Sequence, residues 1–133
     1  MKISKIKEVK SPTRGTPGSA GIDFYVPEDY STTILPKHSC LIPSGVKANV
    51  PENHALIAFN KSGVAVKKSL HVGACVVDSD YQGEIHINLT NVGSYSVDIS
   101  PGEKIVQFVL VPVFHDKIEE VELENLYTEN TQR

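Results

Sequence analysis

The 133-residue chain contains no tryptophan, one methionine and two cysteines, and its apolar runs are short. A membrane-spanning helix requires about 20 consecutive apolar residues, and the sequence contains no such stretch. The amino-terminal sequence MKISKIKEVK also lacks the apolar segment of a secretory signal. We therefore expect a soluble intracellular protein with no membrane partner, located in the cytoplasm, or in the host-cell cytoplasm if the chain is viral.

Metal sites built from cysteine or histidine have little support in this sequence. Cys40 and Cys75 stand alone, without a CxxC pair, so we expect two buried thiols, no disulfide and no zinc. The five histidines include no HExxH motif and no pair at the spacing of a helical turn. The net charge of −3 and the scattered lysines argue against a nucleic-acid-binding surface but leave a charged small molecule open.

Eight prolines and nine glycines divide the chain into short runs that are rich in β-branched residues. No segment has a sustained helical period, and the best helical candidate is the short stretch of residues 64–69. The pattern predicts an all-β fold, a compact jelly-roll-like antiparallel β domain over residues 1–115 with at most one short helix. The acidic and polar end, residues 116–133, is predicted to be a carboxy-terminal arm.

Residues 76–84, with the sequence VVDSDYQGE, join two apolar runs and predict a tight hairpin. Asp78, Asp80 and Tyr81 would lie at its tip, and Gly83 would supply a position of positive φ. A purely structural hairpin remains an alternative, because Asp, Ser and Gly are common turn residues. A calcium loop has no support, because the further oxygen ligands of an EF-hand are missing.

Three other segments carry polar groups of interest. Asp23 follows a glycine-rich stretch, where it either opens a strand or serves as a functional carboxylate. Lys61, Ser62 and Gly63 place a cation, a hydroxyl and backbone N–H groups at the start of the short helix, which suits an anion; alternatively, Ser62 only caps that helix. Gln107 lies on an apolar strand, so its amide is either tied to the backbone or meets a ligand.

The apolar strand itself, residues 106–113 with the sequence VQFVLVPV, predicts burial on both faces. A single small domain has difficulty covering both faces of such a strand. We therefore expect a neighbouring copy of the chain to cover the second face.

Four segments, by their order and spacing, resemble the motifs of the homotrimeric dUTP diphosphatases (dUTPases) over essentially the whole chain. They are AGID at residues 20–23, KSGVA at 61–65, GACVVDSDYQGE at 73–84 and GEKIVQ at 102–107. The resemblance implies a dUTPase-like β-clip fold, a homotrimer with active sites at subunit interfaces, and Mg²⁺-dependent cleavage of dUTP between its α and β phosphates. The products would be dUMP and pyrophosphate, which limits uracil in DNA and supplies dUMP for dTMP synthesis.

The resemblance also implies roles for individual residues. Asp78 would be the general base that deprotonates the attacking water, and Asp23 would hold a hydrated Mg²⁺ ion. Tyr81 would lie beneath the deoxyribose and exclude a 2′-hydroxyl by the bulk of its ring. Backbone groups from Gly73 through Val77 to Tyr81 would pair with the edge of uracil and refuse cytosine.

The phosphates would meet a further set of positions, and here the chain departs from the family pattern. The positions are Lys61, Ser62, Gly63, Gln107 and Arg133. Lys61 and Lys104 stand where arginine is usual, so bidentate contacts become point charges, and Cys75 replaces a common glycine. No glycine-rich arm motif, GxxGFGSTG, follows: either Arg133 is the first residue of that arm, or this member of the family lacks the arm. Without the motif we expect weak turnover.

Two alternatives remain beside the dUTPase interpretation. A dCTP deaminase relative would share the fold but act on the base through a catalytic glutamate in a different hairpin. A nucleotide-responsive regulatory protein of this fold would use the same pocket as a switch for a protein partner. The products formed from dUTP and dCTP distinguish the three.

Overall fold

The computed structural model describes residues 1–74 and 76–127, and this part of the chain forms antiparallel β-strands with one short α-helix. The strands are β1 (Lys2–Lys5), β2 (Gly21–Tyr25), β3 (Thr32–Ile34), β4 (Ser39–Pro43), β5 (Val46–Asn49), β6 (His54–Phe59), β7 (Leu70–Val72), β8 (Val76–Asp78), β9 (His86–Asn91), β10 (Val97–Ile99) and β11 (Lys104–Pro112). The helix α1 spans Ser62–Lys68. The prediction of an all-β fold with at most one short helix is confirmed.

The strands form two larger sheets and two strand pairs within the described residues. The larger sheets have the orders β2-β11-β6-β8 and β4-β9-β7, and the pairs are β1-β5 and β10-β3. Phe24 and Phe108 of the first sheet pack with ring centroids 4.6 Å apart. They share one buried cluster with Ile42 and Leu89 of the second sheet. The core therefore lies between the two sheets, because side chains from the facing sides of both sheets belong to one buried cluster.

The predicted hairpin at residues 76–84 is wrong. Strand β8 pairs with β6, whereas β9 pairs with β4 and β7. The connecting segment, residues 79–85, therefore crosses from one sheet to the other. Val77, before this crossover, and Ile85, at its end, are both buried in the common core, so the two apolar runs cover that core from different sheets.

Helix α1 begins two residues earlier than the predicted helix and ends one residue earlier. Lys61 occupies the N-cap position and makes no side-chain capping hydrogen bond, while Ser62 lies within the first turn. The alternative in which Ser62 only caps the helix is therefore wrong. Ser69 ends the helix in the left-handed conformation, with φ of 55°.

Strand β11 lies in the middle of the first sheet, between β2 and β6. Ile105, Val106 and Phe108 in its first half are buried, whereas Val109 and Leu110 are only half-buried. The second half of this apolar strand is thus incompletely covered by the chain's own residues.

Beyond β11 the described chain contains only a short 3₁₀ turn, Leu123–Asn125. Phe114 and Ile118 are almost fully exposed, at 92% and 95%. The predicted roles of Arg133 and Cys75 lie outside the described residues. None of the helices in the described ranges has the length and apolar character needed to cross a membrane.

Candidate active site

Asp23 is the centre of a charged cluster on the first sheet. Its side chain is only 5% exposed, and its Oδ1 and Oδ2 atoms lie 2.5 Å from Lys61 Nζ and 3.6 Å from Lys104 Nζ. Its backbone is held by a bridge in which Asp23 N donates to Thr13 O at 2.6 Å. Both oxygens of this buried carboxylate thus face ammonium groups, so the two lysines and Asp23 form one charged unit.

Lys104 joins this cluster because of an irregularity in β11. The register with β2 pairs Lys104 with Tyr25 and Gln107 with Asp23, and it shifts between Lys104 and Val106. Residues three positions apart along a regular strand point to opposite faces, but the extra residue of a bulge restores the same face. Lys104 and Gln107 therefore both face Asp23. From the sequence, Lys104 was noted only because it stands where the family usually has arginine, and it was not among the predicted site residues.

Gln107 is bound to the backbone of the loop that precedes α1. Its Nε2 donates to Asn60 O at 2.9 Å, and Asn60 Oδ1 accepts from Val72 N at 2.8 Å. A Cβ atom at Gly21 would lie 1.9 Å from Gln107 Oε1, so only glycine allows this packing. Of the two interpretations left open for Gln107, the structure shows a backbone contact. Asn60, whose carbonyl accepts this hydrogen bond, was not among the predicted site residues. In the sequence, only its position directly before the KSG motif pointed to it.

Ser62 and Gly63 lie exposed in the first turn of α1, directly after Lys61. A Cβ atom at Gly63 would meet no heavy atom within 4 Å. The first backbone N–H groups of a helix have no partner within the helix. The structure therefore offers an open surface with a hydroxyl, backbone donors and the Lys61 ammonium group.

Asp78 lies at the end of β8 and is exposed to a cleft of about 250 Å³. The cleft is lined by Leu41, Ala74, Val76, Val77, Asp78, Tyr81, Glu84, His86 and Phe108. The backbone makes a turn directly after Asp78, in which Tyr81 N donates to Asp78 O at 3.1 Å. The predicted carboxylate and the predicted ring thus share one cleft, although the segment is a crossover and not a hairpin.

The Tyr81 side chain is 42% exposed and is positioned by two neighbours. Its hydroxyl donates to Glu84 O at 2.7 Å. A Cβ atom at Gly83 would lie 2.6 Å from Tyr81 Cζ, so glycine is required there for the approach of the ring. The prediction of positive φ for Gly83 is wrong, because among the described glycines only Gly45 and Gly102 have it.

Glu84 anchors the crossover to the rest of the domain and was not among the predicted residues. Its Oε2 accepts from Gly45 N at 2.8 Å and lies 3.9 Å from Lys7 Nζ. Its Oε1 lies 3.9 Å from His86 Nε2. The Glu84 carbonyl that accepts the hydrogen bond from the Tyr81 hydroxyl therefore belongs to a residue whose side chain is itself held in place.

The two groups of predicted residues lie apart on the sheet. Asp23 is in register with Gln107 and Phe59, whereas Asp78 is in register with Ala55 at the opposite edge strand. Three strand spacings and four residues along the strand correspond to a separation of about 20 Å. The structure thus brings Asp23, Lys61 and Gln107 together, and Asp78 and Tyr81 together, but it does not join the two groups within one chain.

Gly73 and Val77 lie beside the second group. Gly73 follows β7, and its N–H donates to Asn88 O at 3.0 Å. Val77 is buried in the centre of β8, whose outer edge is not paired with another described strand.

The side chains of Cys40 and Tyr30 lie near β9, and burial raises the pKa of the Cys40 thiol and of the Tyr30 hydroxyl above their usual values. The prediction of a buried thiol is only partly met at Cys40, which is half-buried.

Within residues 1–74 and 76–127, no group of three or more histidine, cysteine, aspartate or glutamate side chains could hold a metal ion. Asp23 is a single carboxylate whose oxygens already face two ammonium groups. Mg²⁺ prefers six oxygen ligands and dehydrates reluctantly, so a single carboxylate would leave the remaining ligands of the ion to water and phosphates.

Comparisons with known proteins identify the family of the chain. The dUTPase family model matches residues 7–133. The deoxyuridine 5'-triphosphate nucleotidohydrolase of Polynucleobacter necessarius is 37% identical over 114 residues, covering 84% of this chain and 76% of that protein. The protein of the same name from Chlamydia pneumoniae is 39% identical over 104 residues, covering 77% and 72%. The chain belongs to the dUTPase family.

Solved structures show the same fold. The dUTPase from phage phi11 of S. aureus superposes with a TM-score of 0.85 at 20% identity, covering 95% of this chain and 98% of that chain. A mutant of the phi11 enzyme, described for the coordination of a structural Mg(II) ion, gives a TM-score of 0.83 at 22% identity, covering 91% and 95%. At these identities the likeness concerns the fold alone.

Proposed function

We propose that this chain hydrolyses dUTP to dUMP and pyrophosphate. The observation that carries the proposal is the exposed Asp78 carboxylate beside the Tyr81 ring in one cleft, on a chain whose relatives are named deoxyuridine 5'-triphosphate nucleotidohydrolase. Neither alternative, a dCTP deaminase relative or a regulatory protein, is favoured by those names. Incubating the purified chain with dUTP, dCTP and Mg²⁺ tests the proposal: we expect pyrophosphate from dUTP, whereas ammonia from dCTP would contradict it.

Asp78 is the proposed general base. Its carboxylate is exposed in the cleft and would accept a proton from a water molecule as that oxygen bonds to the α phosphorus. The bond from the α phosphorus to the bridging oxygen then breaks, and pyrophosphate leaves with the electron pair.

Asp23 is proposed to act at the phosphates together with Lys61 and Lys104. When Mg²⁺ is bound with dUTP, it neutralises phosphate charge and favours attack at the α phosphorus. Asp23 would hold water of the hydrated ion, while its two lysine partners supply positive charge near the triphosphate. Ser62, Gly63 and Gln107 are proposed to complete the phosphate contacts, and Arg133 is proposed to add another.

Base choice is proposed to rest on the backbone around β8. The strand pairs with β6 along one edge, so N–H and C=O groups of its other edge are available to the edge of uracil. Cytosine presents the opposite donor and acceptor pattern at position 4 and would leave these groups unpaired. Val77 is the central residue of this strand.

We propose that the active form is a homotrimer whose active sites lie between subunits, with residues 116–133 acting as an arm beyond the domain of residues 1–115. Two observations support this: the two groups of site residues lie about 20 Å apart in one chain, and the second half of β11 is only half-buried. A cytoplasmic location and the absence of a nucleic-acid partner are proposed from the composition alone.

Sedimentation equilibrium tests the trimer. We expect a mass three times the 14.5 kDa of the chain at micromolar concentration, because association buries the half-covered part of β11 and the exposed apolar residues. A mass near 14.5 kDa for a preparation that hydrolyses dUTP would contradict the shared site but not the activity.

Gly63→Ala is expected to separate activity from stability. Apart from its chain neighbours and the backbone of its own helix, the added Cβ meets no heavy atom within 4 Å, so it occupies the open space proposed for phosphate. We expect kcat/KM for dUTP to fall about 10-fold, mainly through KM, while the melting temperature is unchanged or higher, because alanine favours a helix over glycine by about 1 kcal/mol.

Gly18→Ala is the matched control, because a Cβ at that exposed glycine also meets no atom within 4 Å. We expect it to leave kcat/KM within about 2-fold of wild type, as surface substitutions away from a site usually do. Unchanged kinetics in Gly63→Ala would remove Gly63 from the phosphate site.

A further inference from the structure

We infer that Asn88 is a positioning residue for base selection, because its side chain fixes the segment Gly73–Ala74 that leads into β8. The inference rests on the proposed hydrolysis of dUTP and deepens it. Asn88 lies on β9, outside all four motifs that carry the family resemblance.

The side-chain amide of Asn88 links the segment Gly73–Ala74 to strand β4. Asn88 Oδ1 accepts from Ala74 N at 3.1 Å, and Asn88 Nδ2 donates to Cys40 O on β4 at 3.1 Å. The Asn88 backbone carbonyl accepts from Gly73 N at 3.0 Å. Two consecutive N–H groups of the segment are therefore bound by a single residue, and that residue is tied to β4.

The chemistry of asparagine is required for this arrangement. Its side chain offers an acceptor and a donor, whereas an ionised aspartate has only acceptors and an aliphatic side chain has neither. The segment needs such support because the chain leaves the second sheet after Val72, which pairs with Leu89, and enters the first sheet at Val76.

Gly73 lies so close to the Asn88 side chain that there is no space for a Cβ atom. A Cβ atom at Gly73 would lie 1.9 Å from Asn88 Oδ1 and 3.0 Å from Asn88 Cγ. A side chain at position 73 therefore cannot coexist with the observed Asn88 amide. The need for glycine at this position comes from the neighbouring strand.

These contacts limit which backbone groups can select a base. The N–H groups of Gly73 and Ala74 are already bound to Asn88, so the recognition of uracil falls to the outer edge of β8. Ala74 lines the same cleft as Asp78 and Tyr81. Asn88 therefore holds Ala74, the cleft residue that lies just before β8, in position. Asp78 is held separately, by the pairing of β8 with β6.

The test is steady-state kinetics of Asn88→Ala with dUTP and dCTP. We expect KM for dUTP to rise about 10-fold and the ratio of kcat/KM for dUTP over dCTP to fall about 10-fold, the size of one lost hydrogen bond in a recognition site. We expect kcat for dUTP to stay within about 2-fold, because the general base is not displaced.

Two further variants keep the test decisive. Gly73→Ala alone should show the same rise in KM, because its Cβ displaces the amide, and in the Asn88→Ala background it should add little. Thr90→Val, two residues further on the same face of β9, is the control for altered sheet stability and should keep the base preference.

The outcomes separate this inference from the proposed function. Wild-type hydrolysis of dUTP with unchanged KM and base preference in both Asn88→Ala and Gly73→Ala would overturn the role of Asn88 alone. An additive effect in the double variant, or an equal effect of Thr90→Val, would also overturn it. A wild-type chain that releases no pyrophosphate from dUTP would overturn the proposed function, and this inference with it.

Discussion

Asp78→Asn is expected to lower kcat for dUTP by a factor of about 10²–10⁴, the usual contribution of a positioned general base. The amide keeps the shape of the side chain but has no basic oxygen to accept the proton of the attacking water. Asp78 is exposed at the end of β8, so neutralising it changes few internal contacts. We therefore expect the melting temperature and the affinity for a non-hydrolysable α,β-imido analogue of dUTP to stay near wild type.

Asp80→Asn is the control for Asp78→Asn. Asp80 is also exposed and lies two residues further along the same turn, so its substitution makes the same change of charge. We expect kcat of this variant to remain within about 2-fold of wild type, as for a surface substitution. The rate of pyrophosphate release in a single turnover is measured for both variants. Equal losses in the two variants would indicate a general effect of charge in the cleft, and wild-type turnover in Asp78→Asn would exclude Asp78 as the base.

Tyr81→Ala is expected to reduce the preference for dUTP over UTP by about 10- to 100-fold, the range that steric selection in a pocket achieves. The ring, packed against Gly83, would leave no room for a 2′-hydroxyl, and alanine would open that space. The tyrosine hydroxyl is already bound to Glu84 O at 2.7 Å. Selection by the ring face and not by the hydroxyl is therefore the expected mechanism.

Tyr81→Phe separates the two possibilities. It keeps the ring face but removes the hydrogen bond to Glu84 O, which costs about 1 kcal/mol of stability. We expect a modest fall in the melting temperature and a nearly unchanged ratio of kcat/KM for dUTP over UTP. A loss of sugar discrimination as large as in Tyr81→Ala would show that the hydroxyl selects the sugar.

The sequence predicted correctly the features that depend on composition and local pattern. Frequent proline and glycine between β-branched runs indicated an all-β fold, and that fold is observed. The isolated KSGVA segment indicated a short helix within two residues of its true start. The family resemblance implied that Asp23, Lys61 and Gln107 act near the phosphates, and this stays a prediction; the structure places Asp23 beside Lys61 and opposite Gln107.

Features that depend on which strands pair were not predictable in this way. The apolar runs on either side of Asp78 suggested a hairpin, but each run pairs in a different sheet, while Val77 and Ile85 are buried in the core that the two sheets share. The role of Gly83 likewise follows from the position of the Tyr81 ring and not from its own backbone angle.

The class of fold and the side chains proposed for the site could be predicted from the amino-acid sequence, because strand propensity and side-chain chemistry are local properties. The arrangement of those side chains depends on the tertiary structure. A bulge in β11 turns Lys104 toward Asp23, and the pairing of β7 with β9 brings Ala74 within reach of Asn88. Both depend on register and packing between residues that are far apart in the chain, and no local pattern contains that information.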